Sequence, residues 1–476
     1  MQVLLISLIA VLMLPYPGST PVSLPIAAGM TCGATIVLLL VMALCSRVLW
    51  RRLNRASDLR TVRQADWLLR ISQWSGVVVV GGGALFFGWV EAVQDTVGNV
   101  LIVDEIIAAS PALLILLASW WLFYPFEKRV REARLIRDFD EGRPVSAMPS
   151  RGKWVIQQVR THLLLLLVPV LAIAIAADVG RQIAIEIWGE DATNLIGMSG
   201  VLFALPVVLL VPMLVVKLIS TEPLASGELR ASLEEACNRA GVKIRDILLW
   251  RTGGGMINGA VTGFISPLRW VMLSDGLLAR LEHDEVLAVM AHELAHVRRR
   301  HMIWLALNVL AATLLFTAVL SPVVDCITEG LIAGDGTFEE LSRDIEWLNA
   351  AATGAVLLLT LLYFGWVSRR FERQADAFAA VQLSGPGAIA VSRTGLGAMQ
   401  RALEAVAVFN GVPTRQRSWR HGSIDVRIKN LERLEGCPTN RLPIDAIVGW
   451  LNIVAMVVMT LAMAYLLWTI KVDFTP

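Results

Sequence analysis

Long apolar runs separated by polar stretches dominate this chain. Eight of them, residues 24–45, 75–92, 105–125, 161–179, 195–217, 303–322, 350–367 and 446–470, are long enough, or nearly so, to cross a hydrocarbon core about 30 Å thick. Backbone groups in lipid must be satisfied within their own element, so each run predicts a transmembrane helix. The opening stretch MQVLLISLIAVLML, residues 1–14, is short for a crossing and lacks the basic start of a signal peptide. It is expected to be a short or tilted hydrophobic segment. Polar positions gather instead in two larger regions, 218–302 and 368–445.

Composition agrees with this pattern: 56% of the 476 residues are hydrophobic and 17% charged, with a mean hydropathy of +0.62. Such a chain is an integral membrane protein in contact with a lipid bilayer. The net charge of +2 supplies no basic field for nucleic acid, and no nucleic-acid partner is expected. Five scattered cysteines form no CxxC pair, which argues against a disulfide framework or a thiolate metal site. Arginines cluster in SRVLWRRLNRASDLRTVRQADWLLR and EKRVREARLIRDFDEGRP, which the positive-inside rule assigns to the cytoplasm. Alternating crossings then leave the loops poor in basic residues outside. Both polar regions fall on the cytoplasmic side, where they are expected to form one domain split by a helical hairpin. The expected organisation is an N-terminal transmembrane region 1–217, a polar region 218–445 interrupted by the hairpin 303–367, and a C-terminal transmembrane helix within 446–476. The triple glycine at Gly81 to Gly83 suits close helix packing, and the one at Gly253 to Gly255 suits a turn before a strand.

Chemistry enters with DEVLAVMAHELAHVRRRH, which begins at Asp284 and reads as helix, with acids at its start, arginines at its far end and no Pro or Gly between. His292 and His296 are four apart, so successive turns of about 100° bring them to within roughly 40° on one face, where they can share a metal. Glu293 points to the edge of that face, suited to a water proton rather than to ligation. An open zinc site needs a third protein ligand. His301 follows His296 by five residues, about 140° away on a continuous helix, so helical phase excludes it. RRRH is then a basic collar at the membrane surface, and substituting His301 is expected to leave metal content unchanged. Glu372 and Asp376, in SRRFERQADAFAA, share a face of a helix continuing out of the run 350–367. The hairpin returns that helix beside the histidines, which makes these carboxylates the better candidates.

Taken in order, AHELAHVRRRH, SRRFERQAD and HGSIDVRIKNLERL resemble the membrane zinc metalloproteases that include the bacterial HtpX-type quality-control protease and the CAAX prenyl endopeptidase. The resemblance covers residues 220–436. It implies one Zn2+ per chain held by His292, His296 and Glu372, with Glu293 catalytic and Asp376 hydrogen-bonded to a ligand histidine. His421 and Arg427 fall where the family places substrate-binding or oxyanion-stabilising groups, although the family's Pro after that histidine is Gly422 here. The family also places an Asn-rich turn and an edge strand before the histidine helix. Read independently, AVTGFI and RWVMLS are two β-rich runs around a Pro-containing turn. Asn258, Ala260, Val261 and Thr262 are therefore candidates to bind an extended peptide, and a purely structural hairpin fits the residues equally well.

The fold class expected is mainly α: a polytopic transmembrane bundle carrying a cytoplasmic zincin-type, gluzincin-like protease domain with a small β element. The resemblance implies an endopeptidase acting on proteins or peptides, many of them membrane-associated, at the cytoplasmic face of a bacterial inner membrane, in protein quality control. Prenylated peptides, a regulatory protease, and a non-catalytic receptor, scaffold or transporter with a structural zinc are the alternatives. An intact Glu293 argues against the non-catalytic reading, because a structural site needs no base.

Overall fold

The computed structural model describes residues 4, 5, 7, 8, 11, 23–56, 58–98, 103–140, 142, 148–189, 193–254, 256–334 and 337–473. Among these, eight helices are long and apolar enough to cross a membrane, in the order of the eight apolar runs. The chain divides into two units, residues 1–220 with 338–350 and residues 221–337 with 351–476.

In the first unit, α1 (Leu24–Ala56), α2 (Leu59–Phe87) and α4 (Val103–Asp140) pack against one another. The run expected over 75–92 is not one helix. It stops at Phe87, where Gly88 takes a φ of 58°, and a short α3 (Trp89–Val97) follows. Glycine tolerates that left-handed geometry without a Cβ penalty. Gly83 permits a close approach, since a Cβ there would sit 2.7 Å from Thr31 Oγ1. Beyond them, α5 (Arg151–Gln158) runs through a π-helical turn, Val159–Leu164, into α6 (Leu165–Trp188), which pairs with α7 (Thr193–Leu218). Gly180 lets that pair meet closely: a Cβ would lie 2.7 Å from the Ser199 carbonyl. Of the stretch 1–14, Leu4, Leu5 and Leu8 are buried beside Val77 and Val80; most of it lies outside the described residues.

The second unit is built on a four-stranded sheet of β1 (Thr221–Pro223), β2 (Asp246–Trp250), β3 (Gly259–Thr262) and β4 (Trp270–Ser274), in the order β1-β2-β4-β3. β2 and β4 are parallel and the other pairs antiparallel, which leaves β3 at an edge. β3 and β4 occupy the two β-rich runs read in the sequence. β1 and β2 were not anticipated: three residues carry no period, and DILLW is a short apolar run that a helix could equally contain. Gly253 and Gly254, each with a φ of 68°, turn the chain toward β3, and their N–H groups donate to the Asp275 carboxylate at 2.9 and 3.2 Å.

Between β1 and β2 lies α8 (Glu228–Ala240), and after β4 come α9 (Asp275–Arg280) and α10 (His283–Arg298). Glu285 starts α10 by accepting the Glu282 N–H at 3.0 Å. One side of α10, through Val286, Met290 and Leu294, packs into the core formed by the sheet and α8. Its other side, through Ala288 and Ala291, meets α12 (Phe338–Leu383), α13 (Arg393–Phe409) and α14 (Ile424–Glu432). Burying Met290 and Leu294 contributes about 1.5–3 kcal/mol each, while the alanines set how closely the helices approach. α10 does not run continuously into α11 (His301–Ile332): Arg300 adopts a φ of 54° and turns the axis. α12, by contrast, is unbroken, so the apolar run 350–367 and the segment with Glu372 and Asp376 are one helix. α15 (Pro443–Asp473) packs along α11.

Candidate metal centre

Two imidazoles from α10 and one carboxylate from α12 converge. His292 Nε2 and His296 Nε2 are 3.3 Å apart, Glu372 Oε2 is 3.6 Å from the first and Glu372 Oε1 3.8 Å from the second. One ligand atom from each of the three lies within 4.8 Å of the others. Glu372 is 5% exposed, and its Oε2 is buried without a hydrogen-bond partner. Two imidazole nitrogens and a carboxylate oxygen that has no hydrogen bond thus point their lone pairs at one place, where a cation would satisfy them. This donor set, two imidazole nitrogens and one carboxylate oxygen, is the chemistry of an open zinc site, so the residues fit the metal.

Around these three the support differs by residue. Asp376, 2% exposed, places Oδ1 2.9 Å from His292 Nδ1, an electrostatic contact rather than an aligned hydrogen bond. Arg427 grips Asp376 with two donors, Nε to Oδ2 at 2.8 Å and Nη2 to Oδ1 at 2.6 Å. Its Nη1 stands 3.5 Å from Glu372 Oε2. Arg427 is 8% exposed; its two-pronged grip on Asp376 gives it a positioning geometry, beside the substrate-binding or oxyanion-stabilising place that the resemblance implies for it. Burial opposes a charge on His292, yet Asp376 and Glu372 outweigh it and pull its pKa up to about 10. Burial and the neighbouring His292 push His296 down to about 3, which keeps its lone pair free.

Glu293 follows His292 on α10 and lies beside β3. A Cβ added to Gly259 would meet Val289 Cγ1 at 2.9 Å, so glycine lets the strand pack closely on α10, and Glu293 Cγ lies 3.5 Å from the same point. Glu293 keeps part of its surface open, but burial pushes its carboxyl up to about 7, against the pull of His292. A carboxyl with a pKa near neutrality both takes and returns protons effectively.

His421 is about half exposed, with Nδ1 3.0 Å from Glu372 Oε1. The loop carrying it is fixed to α12: the Trp419 indole lies flush on Gly365, where a Cβ would meet Nε1 at 2.6 Å. Arg369 Nη1 also donates to the Trp419 carbonyl at 2.7 Å. Ser418 and Gly422 exchange backbone hydrogen bonds at 3.0 and 2.9 Å. Gly422 has a φ of 76°, which proline, locked near −65°, cannot adopt, and the turn it forms sets His421 against Glu372. Beside it opens a cavity of about 490 Å³ lined by Arg369, Arg373, Arg417, His421 and Arg427.

Of the four candidate strand residues, Asn258 is committed within the hairpin. Its N–H donates to Ser274 Oγ and its carbonyl accepts the Ser274 N–H, both at 3.0 Å. Antiparallel alternation from that pair makes Ala260 and Thr262 bond β4, and directs the backbone groups of Gly259 and Val261 outward.

His301 is where the sequence reading fails. It is 3% exposed, not a surface collar. Its Nδ1 lies 2.9 Å from His296 Nδ1, its Nε2 2.8 Å from Gln374 Oε1, and its ring stacks on Phe371 at 4.7 Å. The left-handed Arg300 ends α10, so His301 is not carried about 140° around one continuous helix, although it still lies outside the cluster of His292, His296 and Glu372. Gln374 and Asp445 escaped notice as well; one lies between Glu372 and Asp376 and the other after a loop, and no spacing rule links either to the histidines.

Residues 223–432 match peptidase family M48. The match spans the helix of His292 and His296, the segment of Glu372 and Asp376, and Arg427. Protease HtpX of Pseudomonas putida (strain GB-1) is 30% identical over 185 residues, which cover 38% of this chain and 56% of that protein. The Protease HtpX homolog of Janthinobacterium sp. (strain Marseille) is 30% identical over 157 residues, 33% of this chain and 52% of that protein. The chain thus spans about half the length of the curated relatives it matches. Among solved structures, S. mikatae Ste24p aligns with a TM-score of 0.46 and 15% identity, over 85% of this chain and 98% of that one.

Proposed function

We propose that this integral membrane protein is a zinc-dependent endopeptidase acting on membrane or membrane-associated proteins. The observation that carries the reading is the convergence of His292, His296 and Glu372 beside Glu293. These three side chains hold one ion per chain. When bound, zinc supplies a Lewis acid for the scissile carbonyl and lowers the pKa of water. Glu293 removes the proton of the attacking water with its carboxylate and returns it to the leaving amine. Asp376 and Arg427 hold His292 and Glu372 in place; His421, beside Glu372 and partly open to solvent, donates toward the developing oxyanion. An extended peptide pairs with the outward backbone groups of Gly259 and Val261, which brings its carbonyl past Glu293.

The domain organisation we infer is a transmembrane region 1–217, a protease region 218–445 interrupted by the hairpin 303–367, and a final transmembrane helix. The arginine-rich loops support a site at the cytoplasmic face, in a bacterial inner membrane, with quality control as the role the resemblance to HtpX suggests. Purified protein in detergent, assayed on an unfolded protein such as casein, tests the reading. Chelation abolishes hydrolysis and zinc restores it; Glu293→Gln retains zinc while cleavage falls by about a hundredfold or more, the range of general-base catalysis. Loss of zinc in Glu293→Gln, or near-normal hydrolysis, removes Glu293 from the role of base. Wild-type protein that binds zinc and cleaves neither casein nor membrane proteins supports a structural metal instead.

A further inference from the structure

Behind His296 runs a directed chain of hydrogen bonds. Arg299 Nη2 meets Asp445 Oδ2 at 3.1 Å, and Gln374 Nε2 donates to Asp445 Oδ1 at 2.6 Å. Gln374 Oε1 lies 2.8 Å from His301 Nε2, and His301 Nδ1 lies 2.9 Å from His296 Nδ1. A carboxylate paired with arginine only accepts, so the Gln374 amide must turn its NH2 toward Asp445 and its oxygen toward His301. That oxygen only accepts, so His301, as a neutral imidazole, carries its proton on Nε2 and leaves Nδ1 as an acceptor. His296 must then donate from Nδ1, and the lone pair of its Nε2 is the one left facing His292 and Glu372. Each step is forced by the one before it, and the polarity originates in Asp445, in the first turn of α15.

We propose that His301, with Gln374 and Asp445 behind it, is a positioning residue that sets the tautomer of His296 so that Nε2 is its metal-binding atom. The inference rests on the zinc reading above. It gives the two ligand histidines different supports: a carboxylate, Asp376, behind His292, and a relay ending in a neutral imidazole behind His296. It also keeps His301 out of the ligand set, because both of its ring nitrogens are engaged elsewhere. Gln374 is 4% exposed, so water does not substitute readily for its amide.

The test measures the zinc dissociation constant of the full-length protein in detergent by competition with a chromophoric chelator, alongside the melting temperature of the metal-free form. His301→Phe keeps the stack on Phe371 and removes the acceptor; zinc binding weakens about 10–100-fold, the usual effect of losing a partner behind a metal ligand. Asp445→Asn touches no ligand. Its oxygen stays with Arg299 and its NH2 meets Gln374, whose amide flips, so the relay reverses and the proton moves to His296 Nε2; binding weakens by about tenfold or more. Gln374→Glu alone sets a second carboxylate against Asp445 and also weakens binding. Gln374→Glu combined with Asp445→Asn restores the original polarity, because the new carboxylate accepts from both neighbours, and affinity returns to within about threefold of wild type.

That recovery is a signature that a merely structural role does not produce. Zinc binding unchanged in Asp445→Asn, or absent recovery in a double variant that melts like wild type, overturns the relay. If His301→Phe fails to fold, the Gln374 and Asp445 pair decides alone. Wild-type protein that binds no zinc overturns the metal reading and this inference with it; wild-type binding with unchanged variants overturns this inference only.

Discussion

Glu372 gathers the site at the scale of the residue. One oxygen meets His421 and the other stands buried near His292 and Arg427. Removing that carboxylate takes away one of the three proposed ligand groups and leaves Arg427 Nη1 without the oxygen 3.5 Å from it. Glu372→Ala is expected to reduce zinc from about one per chain to a small fraction, measured by elemental analysis of gel-filtered protein. Full occupancy in that variant would show that Glu372 is not a ligand. The pattern HExxH was legible because two histidines four apart on a helix share a face whatever surrounds them. Arg427 was legible as belonging to the site but not as the partner of Asp376, since its two-pronged grip depends on how α14 docks against α12.

Elements carry the next layer. β3 is an edge strand whose outward groups are those of Gly259 and Val261. Val261→Pro removes one outward N–H without touching the metal ligands. It should raise KM for a peptide substrate several-fold, about the loss of one hydrogen bond, with zinc content unchanged. Equal kinetics in the variant would mean that substrate does not add to this strand. β3 is itself anchored by Asn410 after α13, which accepts the Ile257 N–H at 3.1 Å and donates to the Ile257 carbonyl at 2.9 Å. Asn410→Ala leaves both backbone groups unpaired and should cost about 1–3 kcal/mol, read as a lower melting temperature. A shift of less than a degree would show that water replaces the amide. Neither β1 nor β2 was predicted, because strands of three and five residues draw their stability from neighbours rather than from a period.

At the scale of the molecule the membrane dominates. Eight apolar helices account for most of the chain length, and the direction we propose for them rests on the arginine clusters. On a background without native cysteines, Asp140→Cys should resist an impermeant thiol reagent in intact cells, and Ala333→Cys should react with it. The reverse pattern would place the metal site outside and remove the cytoplasmic reading of the substrates. The second unit joins segments on both sides of a helical hairpin: Ala288 and Ala291 share a core with Val367, Phe371 and Leu431. Two polar regions far apart in the chain thereby supply one site.

Hydrophobic length, charge asymmetry and the four-residue spacings of His292 with His296 and of Glu372 with Asp376 are local properties. They needed no tertiary information, because the bilayer and the helix impose fixed lengths and fixed angles. Where α10 ends was not local. Arginines 298 to 300 read as a continuing helix, yet Arg300 turns left-handed and His301 folds back under His296. Gln374 meets His301 through packing of α12 against the start of α11, and Asp445 arrives from α15. Such contacts join positions about 70 or more residues apart, and their direction is set by which neighbouring group can only accept a proton, a property of the assembled surroundings rather than of any segment.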